Sequence, residues 1–545
     1  MNLLKQMNNL NDTTKKGLIC LFFVVFALLG ILTADDYGRA WDEPLEMEIL
    51  KSNIVSYEQY FGVRSEHFEG VEPIQDSIEK DHGVSSFYIF APALYNESLS
   101  EEQLSQMWHM LCWCIFTLGA IGLYGCLRQL STPRHFALIG VVFLLITPRF
   151  FAEAHYNNKD IVLFSFTLLM LWQAFKLLKK PTYKALTFFA IFGAFAFNTK
   201  IVGLALFGLC GIFVCVHSFV MAKERNMKIS RILLMLLYGV GLFFAFTILL
   251  TPAAWSNPLE YMEYLVENAV LFSRWNGYVL YLGEVYWLLK ASIPQSYLPV
   301  MIFATTPMWM FALIGIGQCI ALCSIGKRIK RIFNSTTEMQ LTLTTLLWLV
   351  PLVFAVLSNT KVYNGWRHFY FIYAPMCVFA GYAIYQISLL LSNKIVMRKV
   401  LACIVTLCFV GSGIGLFRWH PYQYTYYQPI ARYMNADGDF FELDYWNVSV
   451  RDALVQLASK IEGNISIAGA DLWADVGLKF ALEVLPEEVA SRFEYLALED
   501  SEQAEYILNN PSYENYNKST IQQGNLQEVV CISAYNQPIM QILKQ

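Results

Sequence analysis

The chain has 545 residues, of which 56% are hydrophobic and only 15% are charged, against about 25% charged residues in soluble domains. Its surplus apolar surface therefore predicts contact with lipid and excludes a soluble enzyme. A net charge of −4 with a pI near 6.1 excludes a basic nucleic-acid binder, and eleven of twelve cysteines in apolar stretches exclude a disulfide-rich secreted module.

Eleven apolar segments are candidates for membrane-spanning helices, which need about 20 residues each. Asp35 and Asp36 follow the first segment where a signal peptide would have small residues, so we expect it to remain in the protein. The sequence predicts an α-helical polytopic membrane protein with about eleven transmembrane helices. The candidates are 17–34, 106–127, 136–148, 161–178, 185–198, 201–221, 232–250, 300–323, 341–358, 371–391 and 400–417.

The distribution of Lys and Arg predicts the orientation of these spans. Of the 39 basic residues, 20 lie in six short alternate segments, and such segments face the cytoplasm. By this rule the N-terminal segment 1–16 is cytoplasmic. Within the membrane domain 17–417, loops 35–105, 148–160 and 251–299 lie on the outer side. The basic segments are 1–16, 128–135, 176–184, 221–231, 326–331 and 392–399.

The C-terminal region 418–545 differs in composition from the rest of the chain. From Asp437 onward it has 18 Asp and Glu against 6 Lys and Arg, and an odd number of spans places it outside the cytoplasm. The segments NISIAGA (464–470), RFEYLAL (492–498) and EVVCISAY (528–535) are typical of strands. SEQAEYILNN (501–510) predicts a helix capped by Ser501. We expect a small soluble α/β domain from about residue 437, with Ser512 exposed on it.

Acidic residues cluster after the first span, at Asp35, Asp36, Asp42 and Glu43. Such residues can simply hold the end of a span in water, and for Asp35 and Asp36 this interpretation is as good as a functional one. Asp42 and Glu43 are flanked by a tryptophan and a proline, which suits carboxylates held partly out of water.

Basic residues occur at three further places on the predicted outer side. Lys159 and Asp160 end a segment of mixed charge (148–160), where they can pair with each other or serve an anion and an acidic partner. Lys200 lies between two spans, where lysine often reaches toward the interface. Arg367 and His368 enter an apolar span, either as an anchor against lipid headgroups or to bind phosphate. These residues suggest a lipid-phosphate substrate, and spacing alone equally allows a transporter.

Seven short strings occur in order up to about residue 450, and together they resemble the GT-C superfamily of membrane glycosyltransferases. The resemblance is greatest to dolichyl-phosphate-mannose protein mannosyltransferases and their bacterial polyprenyl-phosphate-sugar relatives. Asn158 departs from the pattern, because relatives often have proline before the KD pair. The strings are WDE, HYNNKDI, NTKIVGL, SIPQSYLPVMIFATTP (292–307), YNGWRHFYFIYAP (363–375), HPYQYTYYQ (420–428) and FELDYWNVS (441–449).

The resemblance implies an inverting enzyme that moves a sugar from a polyprenyl or dolichyl monophosphate carrier to a hydroxyl acceptor at the outer face of the bilayer. The acceptor is a protein, a lipid glycan or a cell-surface polymer. No cofactor is certain: some relatives use a divalent cation, Mg or Mn, and no dedicated ligand cluster stands out in the sequence. The resemblance makes Asp42 the catalytic base, Glu43 its neighbour and Asp160 a second acidic residue. It turns four cations toward the donor phosphate: Arg367, His368, Lys200 and Lys159.

Two other classes compete with a glycosyltransferase. A transporter or flippase of a lipid-linked or small polar substrate would place its charges near the bilayer midplane, whereas the marked charges here lie at the predicted outer rim. A receptor or assembly scaffold would use the acidic tail to bind partners.

Overall fold

The computed structural model describes residues 11–63, 67–271, 277–290, 292–436, 438–513 and 526–545. Up to residue 434 the regular secondary structure of the described chain is helical, apart from one short hairpin. Its helices are α1 (Asp12–Leu32), α2 (Glu43–Phe61), α3 (Ala91–Leu94), α4 (Glu101–Gln129), α5 (Arg134–Leu145), α6 (Pro148–Tyr156), α7 (Asp160–Lys179), α8 (Tyr183–Thr199), α9 (Val202–Val220), α10 (Ile229–Leu250), α11 (Pro258–Leu271), α12 (Tyr297–Thr305), α13 (Met308–Lys327), α14 (Thr336–Leu357), α15 (Tyr370–Leu390), α16 (Ile395–Arg418) and α17 (Pro429–Met434).

In the described part of the chain, nine helices are long and apolar enough to cross a membrane, and ten if the bent pair α5 and α6 counts as one span. An eleventh predicted span, 185–198, forms the 17-residue helix α8. The predicted class is thus confirmed: the chain is an integral membrane protein built from about the expected number of helices. The first ten residues of the predicted N-terminal segment lie outside the described residues.

The predicted span 300–323 is wrong in its bounds, because two helices occupy it. α12 ends at Thr305 and α13 begins at Met308, with Pro307 directly before it. Proline has no backbone N–H to donate, so it suits a helix start and interrupts a continuous helix. Only α13 meets the length and hydropathy of a span.

The segment 148–160, expected as a loop, is mostly the helix α6. It follows α5 at an angle of 73° and starts with Pro148 at its first turn. Every residue of α6 is buried, including Arg149 and Glu153. Backbone away from water must satisfy its own hydrogen bonds, which explains why a segment packed inside the protein is helical rather than extended.

The basic segments and the predicted site residues lie at opposite ends of the same helices. α7 starts at Asp160, and near its other end the carbonyl of Leu178 accepts a hydrogen bond from Arg225. At that same basic end, Arg134 pairs with Asp12 at 2.6 Å. The helices therefore separate a basic face from a face that carries the candidate site.

The C-terminal region forms the expected α/β domain, with a five-stranded sheet in the order β4-β3-β5-β7-β6. β3 pairs in parallel with β4 and β5, and β7 pairs antiparallel with β5 and β6. The hairpin of the membrane domain is β1 (Tyr278–Tyr281) and β2 (Glu284–Trp287). The elements of the domain are α18 (Val450–Lys460), β3 (Ile465–Gly469), α19 (Leu472–Glu483), α20 (Glu487–Ala490), β4 (Phe493–Tyr495), β5 (Tyr506–Asn509), β6 (Gln527–Ala534) and β7 (Gln537–Lys544).

Two local predictions for this domain are wrong. Residues 501–510 form the end of a short 3-10 turn and the buried strand β5 instead of a capped helix. The apolar run Tyr506–Asn509 pairs with two neighbouring strands, so tertiary pairing outweighs the local helix signal. Ser512 is only 6% exposed, because its hydroxyl accepts a hydrogen bond from the Leu443 amide. The predicted domain start, Asp437, lies outside the described residues.

Candidate active site

A cavity of about 540 Å³ lies where the membrane helices meet the C-terminal domain. Its wall combines the start of α2, the turns before α7 and α9, the turn before α15, the segment 444–447 and the start of α19. Six of the seven side chains predicted from the sequence line this cavity although they come from four distant segments. They are Asp42, Lys159, Asp160, Lys200, Arg367 and His368.

Asp42 and Arg367 form the central contact of the cavity. Asp42 directly precedes α2, which has Pro44 in its first turn, and the Asp42 carboxylate contacts Arg367. An Arg367 guanidinium nitrogen donates to Oδ2 of Asp42 at 2.7 Å. Arg367 also lies over the Trp446 ring at 4.3 Å, and its Nε has no hydrogen-bond partner among the described residues. One donor of this buried guanidinium is therefore unsatisfied, which is uncommon for a buried polar atom.

An unusual turn holds Arg367 in place. Gly365 and Trp366 both adopt left-handed backbone angles, with φ of +68° and +58°. Trp366 is buried and donates to the Thr305 hydroxyl at 2.8 Å. A Cβ on Gly365 would lie 2.4 Å from the Tyr445 hydroxyl oxygen. The string NGWRH thus uses glycine where the chain turns and passes close to its neighbour.

Two further ion pairs surround this contact. Lys200 contacts Asp160, which stands in the first turn of α7, where the helix dipole favours an acidic residue. Lys159 contacts Glu46, a fully buried residue one turn into α2, and lies 3.1 Å from Nδ1 of His82. Each lysine in the cavity is therefore paired with a carboxylate and fixed in place.

These cations determine the protonation of Asp42. Burial alone would raise the pKa of Asp42, but Arg367, Lys159 and Lys200 outweigh burial and hold the pKa below its ordinary value. Burial, together with the neighbouring Lys159 and Arg367, lowers the pKa of Lys200 although Asp160 raises it. Asp42 is consequently an ionised carboxylate at neutral pH, held near three cations.

Glu43 has a different place from its neighbour Asp42. It lies fully buried behind the cavity wall, where its carboxylate accepts from the Ala40 amide at 2.8 Å and from the Ser105 hydroxyl at 3.0 Å. His109 Nε2 lies 2.8 Å from the same carboxylate, and Nδ1 of His109 donates to the Ala34 carbonyl. Glu43 thus anchors the turn that presents Asp42.

A second buried group supports the opposite wall. The Glu153 carboxylate accepts from Tyr370 at 2.7 Å, from Tyr445 at 3.1 Å and from Asn157 at 2.8 Å. Arg149 donates to the Tyr445 hydroxyl at 3.2 Å. This group joins α6, α15 and the segment 444–447, and Asn157 also accepts from the backbone amide of Asp160. It therefore fixes the position from which Asp160 enters the cavity.

Several cavity residues escaped the sequence analysis. Asp444, Trp446 and Trp473 line the wall, although only the first two fall inside a string quoted for the resemblance. Glu46 does not line the cavity but pairs with Lys159, and it could have been found from helical spacing, because it follows Asp42 by four residues. Nothing in the sequence marked Trp473 as a site residue, since it comes from the C-terminal domain. Asp35 lies outside the wall, where Arg451 and Gln106 contact it.

Among the described residues, one group of three side chains has the arrangement of a metal site. Glu79, Asp81 and His82 offer ligand atoms within 4.8 Å of one another, and all three line the cavity. Two carboxylates and an imidazole are ordinary ligands for a divalent cation.

Comparison with known proteins shows similarity to one family over part of the chain. Residues 103–255 match the sequence model of the family described as dolichyl-phosphate-mannose-protein mannosyltransferase. The match confirms the resemblance to GT-C glycosyltransferases seen in the motifs. It includes Lys159, Asp160 and Lys200, while Asp42 and Arg367 lie outside it. No curated protein sequence matches this chain significantly.

Three solved structures are similar over most of this chain at low sequence identity. ArnT from Cupriavidus metallidurans bound to undecaprenyl phosphate is 13% identical, with a TM-score of 0.43 over 96% of this chain and 97% of that one. The apo form of that ArnT is 13% identical, with a TM-score of 0.44 over 97% of this chain and 98% of that one. An Archaeoglobus fulgidus oligosaccharyltransferase tethered with an acceptor peptide is 11% identical, with a TM-score of 0.44 over 91% of this chain and 70% of that one.

Replacement of Gly365 by alanine tests the turn that holds Arg367. A left-handed alanine costs about 1–2 kcal/mol, and its Cβ would in addition collide with Tyr445. Gly463→Ala is the matched control, because Gly463 also has a positive φ (+83°) but has nothing within 4 Å of its Cβ position. We expect Gly365→Ala to lower the thermal unfolding temperature more than Gly463→Ala does. Equal shifts in both variants would contradict the close approach at Gly365.

Proposed function

We propose that this chain is an inverting glycosyltransferase that moves a sugar from a polyprenyl or dolichyl monophosphate carrier to a hydroxyl acceptor. One observation carries the proposal: a single cavity combines an ionised carboxylate, three paired cations and an apolar wall that belongs to a membrane-spanning helix. A lipid-linked sugar phosphate has the matching parts, namely an anionic phosphate, a polar sugar and an apolar chain.

The cationic end of the cavity suits the donor phosphate. In the proposed reaction the bond between the anomeric carbon and the phosphate oxygen breaks, and negative charge grows on the departing polyprenyl phosphate. Cations already held in place stabilise that charge without reorganising. Arg367 is best suited to this role, because it lines the cavity and its planar guanidinium can hold a phosphate with more than one hydrogen bond. Lys159, Lys200 and His368 would complete the phosphate site.

Asp42 suits the role of general base. The acceptor hydroxyl oxygen attacks the anomeric carbon and gives its proton to the Asp42 carboxylate. One displacement inverts the anomeric centre, so no second carboxylate is needed as a nucleophile. Asp160 would act as the second acidic residue by holding Lys200, and Glu43 would position the turn before Asp42.

The apolar wall suits the carrier chain. Pro351 and Phe354 line the cavity from α14, and Phe354 is 67% exposed on a helix that meets the criteria of a span. Lipid can reach such a wall directly from the bilayer. A water-soluble sugar nucleotide would gain little from this surface, which favours a lipid-linked donor.

The proposal includes a divalent cation, Mg or Mn, as an additional positive charge near the donor phosphate. Glu79, Asp81 and His82 are the side chains that would hold it. When bound, such an ion would polarise phosphate oxygens.

A transfer assay decides between this function and a transporter or flippase. Purified protein receives undecaprenyl-phosphate sugars and two kinds of acceptor, an octyl glycoside and a Ser/Thr-containing peptide. Transfer of the sugar with release of undecaprenyl phosphate identifies the enzyme. Movement of a lipid-linked sugar across proteoliposomes without transfer would identify the transporter instead.

Asp42→Asn should reduce transfer by about 10²–10⁴-fold, the usual contribution of a general base. The amide keeps the size of the carboxylate, so the protein should still be expressed and folded, but the charge lost beside the buried Arg367 should lower the thermal unfolding temperature. Asp35→Asn serves as the control, because Asp35 is a neighbouring acidic residue outside the cavity. Activity of Asp42→Asn within a few-fold of wild type would refute the role of base and direct the search to Asp160, which also lines the cavity.

Arg367→Ala should lower kcat/KM for the donor by about 10- to 100-fold, the loss expected for one charge-assisted hydrogen bond. Use of the acceptor should fall less. The substitution should also move the acidic limb of the pH profile to higher pH: Arg367 lowers the pKa of Asp42, so without it the base takes up its proton at higher pH. Arg367→Lys should restore part of the activity.

The control for Arg367 is Arg418→Ala, which removes an exposed arginine that lies over Trp419 at the end of α16. Measurement of KM for donor and acceptor separately, across pH, checks both expectations. Equal losses with both substrates and an unmoved pH profile would mean that Arg367 only anchors the helix.

The cavity and the C-terminal domain should face away from the cytoplasm. The proposal follows from the 20 basic residues in the six segments at the opposite end. In a Cys531→Ser background, Ser491→Cys on the exposed face of the domain should react with a membrane-impermeant maleimide in cells whose outer membrane, where present, is permeabilised. Ser230→Cys, in an exposed position at the basic end, should react only after the inner membrane is opened. The reverse pattern would overturn this orientation.

A further inference from the structure

We infer that Trp473 of the C-terminal domain, together with Trp41 and Tyr278, forms a stacking site for a sugar ring beside Asp42. The inference rests on the proposed function and makes it more specific, because it assigns to the C-terminal domain a direct part in binding saccharide. The three rings come from the first outer segment, the β1–β2 hairpin and α19, and all three line the cavity.

The geometry of the rings supports a shared surface. The ring centroids of Trp41 and Trp473 lie 4.7 Å apart, and those of Tyr278 and Trp473 lie 5.9 Å apart. Trp41 and Trp473 are half-buried, whereas Tyr278 is only 5% exposed and packs behind Trp473. Two partly exposed rings therefore line the cavity side by side, with the buried Tyr278 ring in contact with Trp473.

Trp473 is held in place by its backbone as well as by its ring. Asp471 caps α19 by accepting from the Ala474 amide at 2.8 Å, so Trp473 lies in the first turn of a fixed helix. The Trp473 carbonyl accepts from the Asn447 side chain at 3.0 Å. Asn447 is another cavity residue and has a left-handed φ of +59°. The cavity wall and the C-terminal domain thus share one hydrogen-bonded joint.

The chemistry of the surface fits a sugar better than other polar ligands. A pyranose ring has C–H groups on its faces and hydroxyls at its edge, and an aromatic face buries the former while leaving the latter to polar neighbours. Asp42 follows Trp41 directly in the chain, so a ring stacked there lies next to the proposed base. Asn447, which donates to the Trp473 carbonyl, is a polar residue of the same wall.

The sugar can come from two sources, the donor or a saccharide acceptor, and two measurements separate them. The first compares binding of undecaprenyl phosphate with binding of the undecaprenyl-phosphate sugar that the wild type uses. The second measures KM for the octyl glycoside and for the Ser/Thr-containing peptide.

Trp473→Leu should weaken saccharide binding by about tenfold, the size expected for loss of an aromatic stack. In the donor case, affinity for the sugar-bearing lipid falls while affinity for bare undecaprenyl phosphate stays within twofold. In the acceptor case, both lipid affinities stay unchanged and KM rises for the octyl glycoside but not for the peptide. Trp473→Phe should retain most of the binding, because it keeps an aromatic face.

Tyr535→Leu is the matched control for loss of an aromatic contact between the domains. Tyr535 packs against Trp419 at 4.9 Å and against Tyr426 at 5.7 Å, at another contact of the C-terminal sheet with the membrane domain. It should lower thermal stability without changing the preference for the sugar-bearing lipid over the bare lipid.

The inference fails if Trp473→Leu leaves all saccharide measurements unchanged, or if it weakens both lipids and both acceptors alike, as a purely structural contact would. The proposed function fails separately: a wild-type protein that binds no undecaprenyl phosphate and transfers no sugar would overturn it, and the inference with it. A wild type that transfers sugar while Trp473→Leu behaves like Tyr535→Leu would overturn the inference alone.

Discussion

The ion pair between Asp42 and Arg367 is the contact on which the rest of the cavity depends. The two residues are separated by 325 positions, and each is largely withdrawn from water. A buried charge without a partner costs several kcal/mol, so neither residue is stable in its place unless the other is present. The start of α2 and the turn before α15 must therefore keep their positions relative to each other. The other ion pairs of the cavity are arranged around that requirement, and the low pKa of Asp42 is its direct result.

Two buried groups fix the two halves of this pair. Glu43, with His109 behind it, anchors the turn that carries Asp42, and Glu153, with Tyr445 and Arg149, supports the turn that carries Arg367. Both carboxylates lie behind the residues that line the cavity and are held by neighbouring protein groups, so they keep these partners whether or not a substrate is present. Charges that are oriented before the substrate binds are the most effective kind in catalysis, because the reaction does not have to reorganise them.

The sequence predicted the class, nearly all the membrane helices and six cavity residues, because these depend on local signals. Apolar length reveals a span, and charged residues beside spans are few enough to stand out. It could not place Glu43 behind the wall, since adjacent residues point in different directions at a helix start. It predicted a loop at 148–160 because buried polar residues look like solvated ones in a sequence. In the structure these residues belong to α6, where Glu153 pairs with neighbouring polar groups. Trp473 was missed for a related reason: its partner Trp41 lies more than 400 residues away.

The strained backbone of the cavity shows how far its shape is imposed by packing. Trp366 and Asn447 are non-glycine residues in the left-handed region, which persists only where the surroundings determine it. Thr305 holds the first, and the Trp473 carbonyl and the close contact with Gly477 hold the second. Next to them in sequence stand Arg367 and Trp446, which stack on each other. The strained residues therefore flank both partners of that stack, so the guanidinium cannot swing away from Asp42 without disturbing two domains, and the C-terminal domain is a structural part of the cavity rather than an appendage.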